Sequence, residues 1–137
     1  MLSIGQLSRR SGVKIPTIRY YEQVGLLSTP ERTSGNQRRY TKEQLERLSF
    51  VRHARGLGIS IDDIRELTEL GTHPEMTCEV AHKIARNQLQ TIRGKIKKLR
   101  LLEKELKRIA MEHDSGQVGD CFVLQALAEH KNCGQED

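Results

Sequence analysis

The chain has 137 residues, of which 30% are charged, and its formal net charge is +5 at pH 7. This length suffices for one globular domain with an appended element, and it is too short for two full cores. The sequence contains no run of about eighteen apolar residues, which excludes a membrane-spanning helix. It also lacks the basic-then-apolar order of a signal peptide. The three cysteines, an odd number, favour reduced thiols in the cytoplasm over a disulfide framework.

Charge is unevenly distributed along the chain. Residues 1–55 contain 11 lysines and arginines against 4 acidic residues, whereas residues 111–137 contain one lysine against 6 acidic residues. A basic segment is suited to the phosphates of a nucleic acid, and an acidic segment with cysteines and histidines is suited to a cation. Aromatic residues make up only 4% of the chain, so no stacking platform for single-stranded nucleic acid is evident.

Helix-start signals mark three positions in the first half of the chain. Ser3 and Thr41 are each followed three residues later by glutamine, which is the capping-box pattern, and Ser60 followed by Asp63 is a near variant. They predict a short first helix, an amphipathic helix that stops near residues 56–58, and a further helix that ends at about Leu70.

Between the first two of these helices the sequence predicts a turn, a second helix and a hairpin. A turn is expected at residues 11–13, and Pro16 fits the first position of the second helix, where its missing N–H costs nothing. Gly25 is a suitable residue to end that helix. Pro30, Gly35 and Asn36 indicate extended segments around a turn.

A long amphipathic helix is predicted from Thr77 to about Met111. Apolar residues recur there at spacings of three, four or seven, and the helix would be roughly 50 Å long. Because the chain has no other helix to cover so narrow a stripe, the pattern predicts a coiled-coil partner from a second copy. Beyond it, residues 114–120 are expected to form a loop, Cys121 to open a short helix, and residues 129–133 to form a polar tail.

The second helix and the hairpin together predict a winged helix-turn-helix that binds duplex DNA. A recognition helix enters the major groove by its N-terminal end, and long cationic side chains beside a hairpin turn reach the DNA backbone or the minor groove. The candidate DNA-binding residues are Lys14, Thr17, Arg19, Tyr20, Tyr21, Arg38, Arg39, Tyr40, Arg52 and Arg55. Of the two adjacent tyrosines at 20 and 21, one is expected in the core, and Tyr20 is the stronger DNA candidate.

These segments resemble the MerR family of transcription regulators. The resemblance rests on Ile4-Gly-Gln-Leu, Thr17-Ile-Arg-Tyr-Tyr-Glu22, Gly25-Leu26, Arg38-Arg-Tyr40 and the segment from Arg52 to Gly58. It covers residues 1 to about 110 in order, including the long helix.

The resemblance implies a mostly α fold with three parts. They are a winged helix-turn-helix domain with connecting helices at 1–71, a long antiparallel dimerisation helix at 72–111, and an effector loop, short helix and tail at 112–137. It also implies that a homodimer binds promoter DNA and acts on RNA polymerase indirectly. Effector binding makes the dimer bend and untwist the DNA, which realigns two promoter elements whose spacing is too long.

The three cysteines point to the effector. Cys78 lies at the start of the long helix, Cys121 begins the short one, and Cys133 lies in the tail. Thiolates favour soft or borderline ions, and a tetrahedral site needs three or four donors. The metal-sensing branch of the family resembles this chain at Thr77-Cys78 and at Cys121-x-x-Leu124, which implies a divalent effector of the Zn, Cd or Pb class. The mixed nitrogen, oxygen and sulfur donors of this chain favour Zn or Cd.

In that branch, Cys78 of one copy is expected to meet the Cys121 loop of the other. A further cysteine is usual eight to ten residues before Cys121, but this chain has Met111-Glu-His-Asp114 there. The expected metal ligands are therefore Cys78, Cys121, Cys133, His113 and His130, with His113 as the nearest substitute for the missing thiol. The implied function is activation of a metal efflux or detoxification promoter.

Two other functions keep the DNA-binding domain. The cysteines could form a redox or electrophile switch, although Asp120 rather than a cation precedes Cys121, or the protein could be an architectural DNA-binding dimer without an effector. We do not expect an enzyme, because the sequence offers no substrate cleft and no metal-hydrolase spacing of histidines.

Overall fold

The computed structural model of the protein describes residues 1–112 and 116–129. The helices and strands, in chain order, are α1 (Ile4–Ser11), α2 (Ile15–Gln23), β1 (Glu31–Arg32), β2 (Arg38–Arg39), α3 (Lys42–Gly56), α4 (Ile61–Leu70), α5 (Glu79–Met111), a 3-10 turn (Val118–Asp120) and α6 (Phe122–Ala128). Two compact units make up the chain, Met1–Gln88 and Leu89–Asp137. No helix within the described ranges combines the length and apolar composition needed to cross a membrane.

The helix starts confirm the capping signals in the sequence. The side chains of Ser3 and Thr41 accept hydrogen bonds from the backbone N–H three residues later, and in both cases the glutamine side chain bonds back to the cap. The Ser60 side chain accepts a hydrogen bond from the Asp63 N–H. Each cap pairs backbone N–H groups that have no partner within the helix, so local chemistry sets these boundaries.

Two boundaries differ slightly from the expectation. Pro16 occupies the second position of α2, since the helix begins at Ile15, and a proline is tolerated there because this N–H also lacks a helical partner. α5 begins at Glu79 rather than Thr77. Gly25 follows α2 in the left-handed conformation with φ 81°, as its use near a helix end predicts.

The first unit is built on a small core beneath α1 to α4. Its fully buried side chains include Leu7, Ile18, Leu26, Leu48, Val51, Ile64 and the ring of Tyr40. The third helix has the amphipathic pattern predicted from the sequence: its Leu48, Val51 and Ala54 are buried and its Leu45 packs against the core.

The hairpin of β1 and β2 is a two-residue antiparallel ladder with Glu31 opposite Arg39 and Arg32 opposite Arg38. Its turn places Asn36 at φ 63°, a left-handed conformation that asparagine tolerates. Strands this short are not stable alone. A further antiparallel bridge joins Leu2 to Tyr40, with both backbone N–H to carbonyl distances at 2.8 Å, so the start of the chain supports the wing.

α5 spans 33 residues, which corresponds to about 50 Å. Most of its apolar side chains remain solvent-exposed in the single chain; Leu99 and Leu101, for example, are each 63% exposed. The stripe at heptad spacing runs through Leu89, Ile92, Ile96, Leu99 and Leu106. An exposed apolar seam of this length is typical of a coiled coil.

We predict that Leu99→Glu converts the dimer to a monomer, because it places a charge in the apolar seam. Leu101→Glu is the matched control, since Leu101 is equally exposed but lies about half a helical turn away from the seam. Sedimentation equilibrium at micromolar concentration distinguishes the two. A dimer of unchanged strength for Leu99→Glu would show that the seam is not the interface.

Candidate DNA-binding surface and free thiols

Four arginines line one recess of the first unit. The recess is bounded by the start of α1, the exposed face of α2 and the wing. The arginines are Arg19, Arg32, Arg38 and Arg39. Arg19 extends from α2 and is exposed, whereas Arg38 and Arg39 are half-buried on β2. Clustered guanidinium groups beside an exposed helix form a surface suited to phosphate oxygens and base edges.

Arg32 was not among the residues singled out from the sequence. Its Nη1 donates to the backbone carbonyl of Asn36 at 3.2 Å and to the side-chain oxygen of that residue at 3.3 Å. These bonds hold the guanidinium over the wing turn. The hairpin register, with Arg32 opposite Arg38, is the signal that could have identified it.

The remaining surface candidates also lie on the first unit. Lys14 is the exposed N-cap of α2, Thr17 is half-buried on its first turn, and Tyr20 is 46% exposed. Arg52 and Arg55 are exposed on α3. Each donates to a backbone carbonyl of its own chain, Arg52 to Ser11 at 3.3 Å and Arg55 to Ile59 at 2.8 Å. Their contacts with DNA stay predictions.

Tyr40 and Tyr21 lie in the core, with exposed fractions of 0% and 8%. This burial does not favour side-chain contacts with DNA at either residue, and their assignment to the DNA-binding set stays a prediction. The Tyr40 hydroxyl donates to a carboxylate oxygen of Glu22, and the Arg38 Nη1 lies 3.8 Å from the other oxygen of the same carboxylate. Glu22 thus connects α2 to two residues of the wing. Burial, followed by the hydrogen bond to Glu22, raises the pKa of Tyr40 to about 12.

The two described cysteines are free thiols, Cys78 exposed and Cys121 half-buried. The carbonyl of Cys78 accepts from the N–H of His82 at 3.0 Å, in the first turn of α5. Cys121 is the N-cap of α6, which confirms that it opens this helix. Within residues 1–112 and 116–129 of a single chain, no three His, Cys, Asp or Glu side chains are grouped as metal ligands. The candidates His113, His130 and Cys133 lie outside the described residues.

Two family models together match residues 2–109 of the chain. Residues 2–70 match the model described as MerR HTH family regulatory protein, and residues 45–109 match the model described as MerR, DNA binding. The chain belongs to the MerR family. Membership agrees with the winged helix-turn-helix and with the exposed seam of α5.

Relatives within the MerR family match nearly the full length. The HTH-type transcriptional regulator ZntR of Escherichia coli K12 is 36% identical over 135 residues, covering 94% of both chains. The mercuric resistance operon regulatory protein of Serratia marcescens is 39% identical and covers 95% of this chain and 90% of its own. A crystal structure of the transcription regulator PbrR691 from Ralstonia metallidurans CH34, in complex with lead(II), matches with a TM-score of 0.79 and 35% identity, covering 93% of this chain and 100% of that chain.

We predict that Arg32→Ala weakens DNA binding about equally for all sequences, whereas Arg19→Ala also relaxes the preference for the operator. A phosphate contact carries charge and no sequence information, so its loss reduces the slope of log K against log salt by about one. Fluorescence anisotropy across a salt series measures both effects. Arg93→Ala, which removes an equal charge from α5, is the control, and an unchanged slope for Arg32→Ala would contradict a phosphate contact.

We predict that Tyr40→Phe destabilises the fold by about 1–3 kcal/mol at pH 7, because a hydrogen bond to a charged group is lost. Urea unfolding measures this, with Tyr20→Phe, at an exposed tyrosine, as a control expected to change little.

The stability difference between the wild type and Tyr40→Phe should also depend on pH. A phenol whose pKa is raised in the folded state contributes stability that is fully present below its ordinary pKa of about 10. That contribution is lost as the pH rises towards about 12. The stability difference between the wild type and Tyr40→Phe should therefore be constant from pH 7 to about 9 and shrink above pH 10. A difference that grows in the alkaline range would contradict the placement of Tyr40 beside Glu22.

Proposed function

We propose that the protein is a metal-responsive transcriptional regulator that binds promoter DNA as a homodimer in the cytoplasm. A divalent ion of the Zn, Cd or Pb class, Zn or Cd foremost, is its effector. The observation that carries this proposal is the pair of free thiols, Cys78 directly before α5 and Cys121 at the start of α6. Free thiols suit soft and borderline ions, which thiolates bind preferentially.

The relatives support a metal as the effector. One is named as the regulator of a mercuric resistance operon, and the structure of another holds lead(II). The matches extend over more than nine tenths of this chain and so include the segment that contains Cys121. Because these relatives are associated with different metals, the preference for Zn or Cd rests on the donor types of this chain rather than on them.

We further propose that each site takes donors from two chains. Cys78 and Cys121 are separated along the sequence by the whole of α5, and the described part of one chain groups no three donors. Cys78 of one chain and Cys121 of the second, completed by His113, His130 or Cys133, would reach the three or four donors that a tetrahedral ion needs. Metal binding would then act directly on the dimer and, through it, on the bound DNA.

The arginine-lined surface supplies the other half of the function. Two copies of it in one dimer suit a palindromic operator, because half-site spacing mirrors the two-fold symmetry of the protein. An ion that favours one arrangement of the dimer would shift the population of DNA conformations, and the promoter would respond to the bend and twist rather than to a protein contact with polymerase. The effect on RNA polymerase is then indirect.

Mixed dimers test the two-chain site. Cys78→Ser and Cys121→Ser chains with different tags are combined, and cobalt(II) is followed by its thiolate charge-transfer absorption. Each variant alone should lose both intact sites. The mixed dimer should recover one, because one of its two sites receives Cys78 from one chain and Cys121 from the other.

A mixture of two differently tagged Cys78→Ser chains is the matched control and should recover none. A mixed Cys78→Ser and Cys121→Ser dimer as weak as its parents would indicate donors from the same chain. Absence of the charge-transfer bands in the wild type would contradict a metal effector altogether and leave thiol oxidation as the signal to examine.

A further inference from the structure

The second unit contains a contact between the end of α5 and the start of α6. The guanidinium carbon of Arg108 lies 5.5 Å from the centre of the Phe122 ring, which is within the range of a cation–π interaction. Each helix also has one buried apolar side chain in this unit, Ile109 with 6% and Ala126 with 5% exposed. By contrast, Leu124 and Leu127 of α6 are 51% and 62% exposed, so apolar burial holds this short helix only weakly.

The guanidinium of Arg108 is itself fixed by a carboxylate one turn earlier on α5. Its Nε donates to Glu105 Oε2 at 3.2 Å, and its Nη2 donates to Glu105 Oε1 at 2.5 Å. Two parallel bonds between a planar guanidinium and a carboxylate fix orientation as well as distance. The hydrogen bond to Arg108 is also the main cause that lowers the pKa of Glu105.

The backbone of Cys121 is hydrogen-bonded on both sides and adjoins the residue whose ring Arg108 covers. Cys121 directly precedes Phe122, its N–H donates to the carbonyl of Val118 at 3.2 Å, and its carbonyl accepts from the N–H of Gln125 at 3.1 Å. Its backbone is therefore held by the 3-10 turn on one side and by the first turn of α6 on the other. A displacement of the Phe122 ring would carry the Cys121 thiol with it.

We propose that Arg108 is a positioning residue for Cys121: held by Glu105, it fixes the Phe122 ring and thereby the place from which the thiol reaches a metal ion. This inference rests on the proposed function, in which Cys121 is a metal donor. Residues that orient a ligand without touching the metal typically change affinity about 10- to 100-fold when they are removed. Arg108 itself is not a metal ligand, since a guanidinium remains protonated and cannot act as one.

The first measurement is cobalt(II) affinity of the full chain. Arg108→Gln is expected to weaken binding about 10- to 100-fold, with no change in the number of sites. Arg108→Lys should fall between the wild type and Arg108→Gln, because lysine keeps the charge but not the planar, doubly bonded geometry. Arg100→Gln removes the same charge from an exposed position of α5 and is the matched control, expected to bind as the wild type does.

The second measurement needs no metal. In a chain with Cys78→Ser and Cys133→Ser, Cys121 is the remaining thiol, and its rate of alkylation by iodoacetamide reports how firmly it is held. Arg108→Gln should raise this rate several-fold while the urea midpoint for unfolding stays unchanged. A purely structural role of Arg108 would move the midpoint and the rate together, and Arg100→Gln should move neither.

The outcomes separate this inference from the proposed function. If the wild type binds cobalt and Arg108→Gln matches it in affinity and alkylation rate, the positioning role is overturned and the metal function stands. If the wild type shows no thiolate–cobalt absorption, the proposed function and the metal role of Arg108 fall together, even where alkylation accelerates. A cobalt affinity that drops equally in Arg100→Gln would reduce the effect to charge alone and also overturn the proposal.

Discussion

The carboxylate of Glu22 is the contact on which the DNA-binding surface depends. It accepts a hydrogen bond from the hydroxyl of the buried Tyr40 and faces the guanidinium of Arg38. One side chain of the recognition helix therefore holds two residues of the wing. The wing has only two residues in each strand and cannot be stable alone. Glu22 and the backbone bridge between Leu2 and Tyr40 add the stability that so short a ladder lacks. They thereby hold the arginines of the wing at a defined distance from α2.

This arrangement explains why a tyrosine that looks suited to DNA is found in the core. Residues two apart in a strand project to the same face, and Arg38 and Tyr40 accordingly both turn towards Glu22. Three consecutive polar or aromatic residues after a turn do not reveal which of them points inward. The alternation becomes informative only when the pairing register is known, and the register also brings Arg32 opposite Arg38.

Local signals determined most of what could be predicted from the sequence. The helices begin where Ser3, Thr41 and Ser60 provide caps, since a cap and the N–H groups it pairs lie within one turn of each other. The extent of α5 followed from a simple apolar period. The candidate metal donors follow from residue type and from the family resemblance, which together identify the chemistry but not the geometry of a site. The sequence does not mark Arg108, because its role depends on Glu105 and Phe122 together and nothing in their spacing indicates such a contact.

Gly12 shows how two distant positions can be constrained together. It ends α1 in the left-handed conformation with φ 75°, and a Cβ built there would lie 2.9 Å from the Nη1 of Arg52, the same nitrogen that donates to the Ser11 carbonyl. A larger residue at position 12 would be strained in its own backbone and would also push the guanidinium off that carbonyl. We therefore expect the residues at positions 12 and 52 to depend on each other, because a side chain at the first has room only if the Arg52 guanidinium moves.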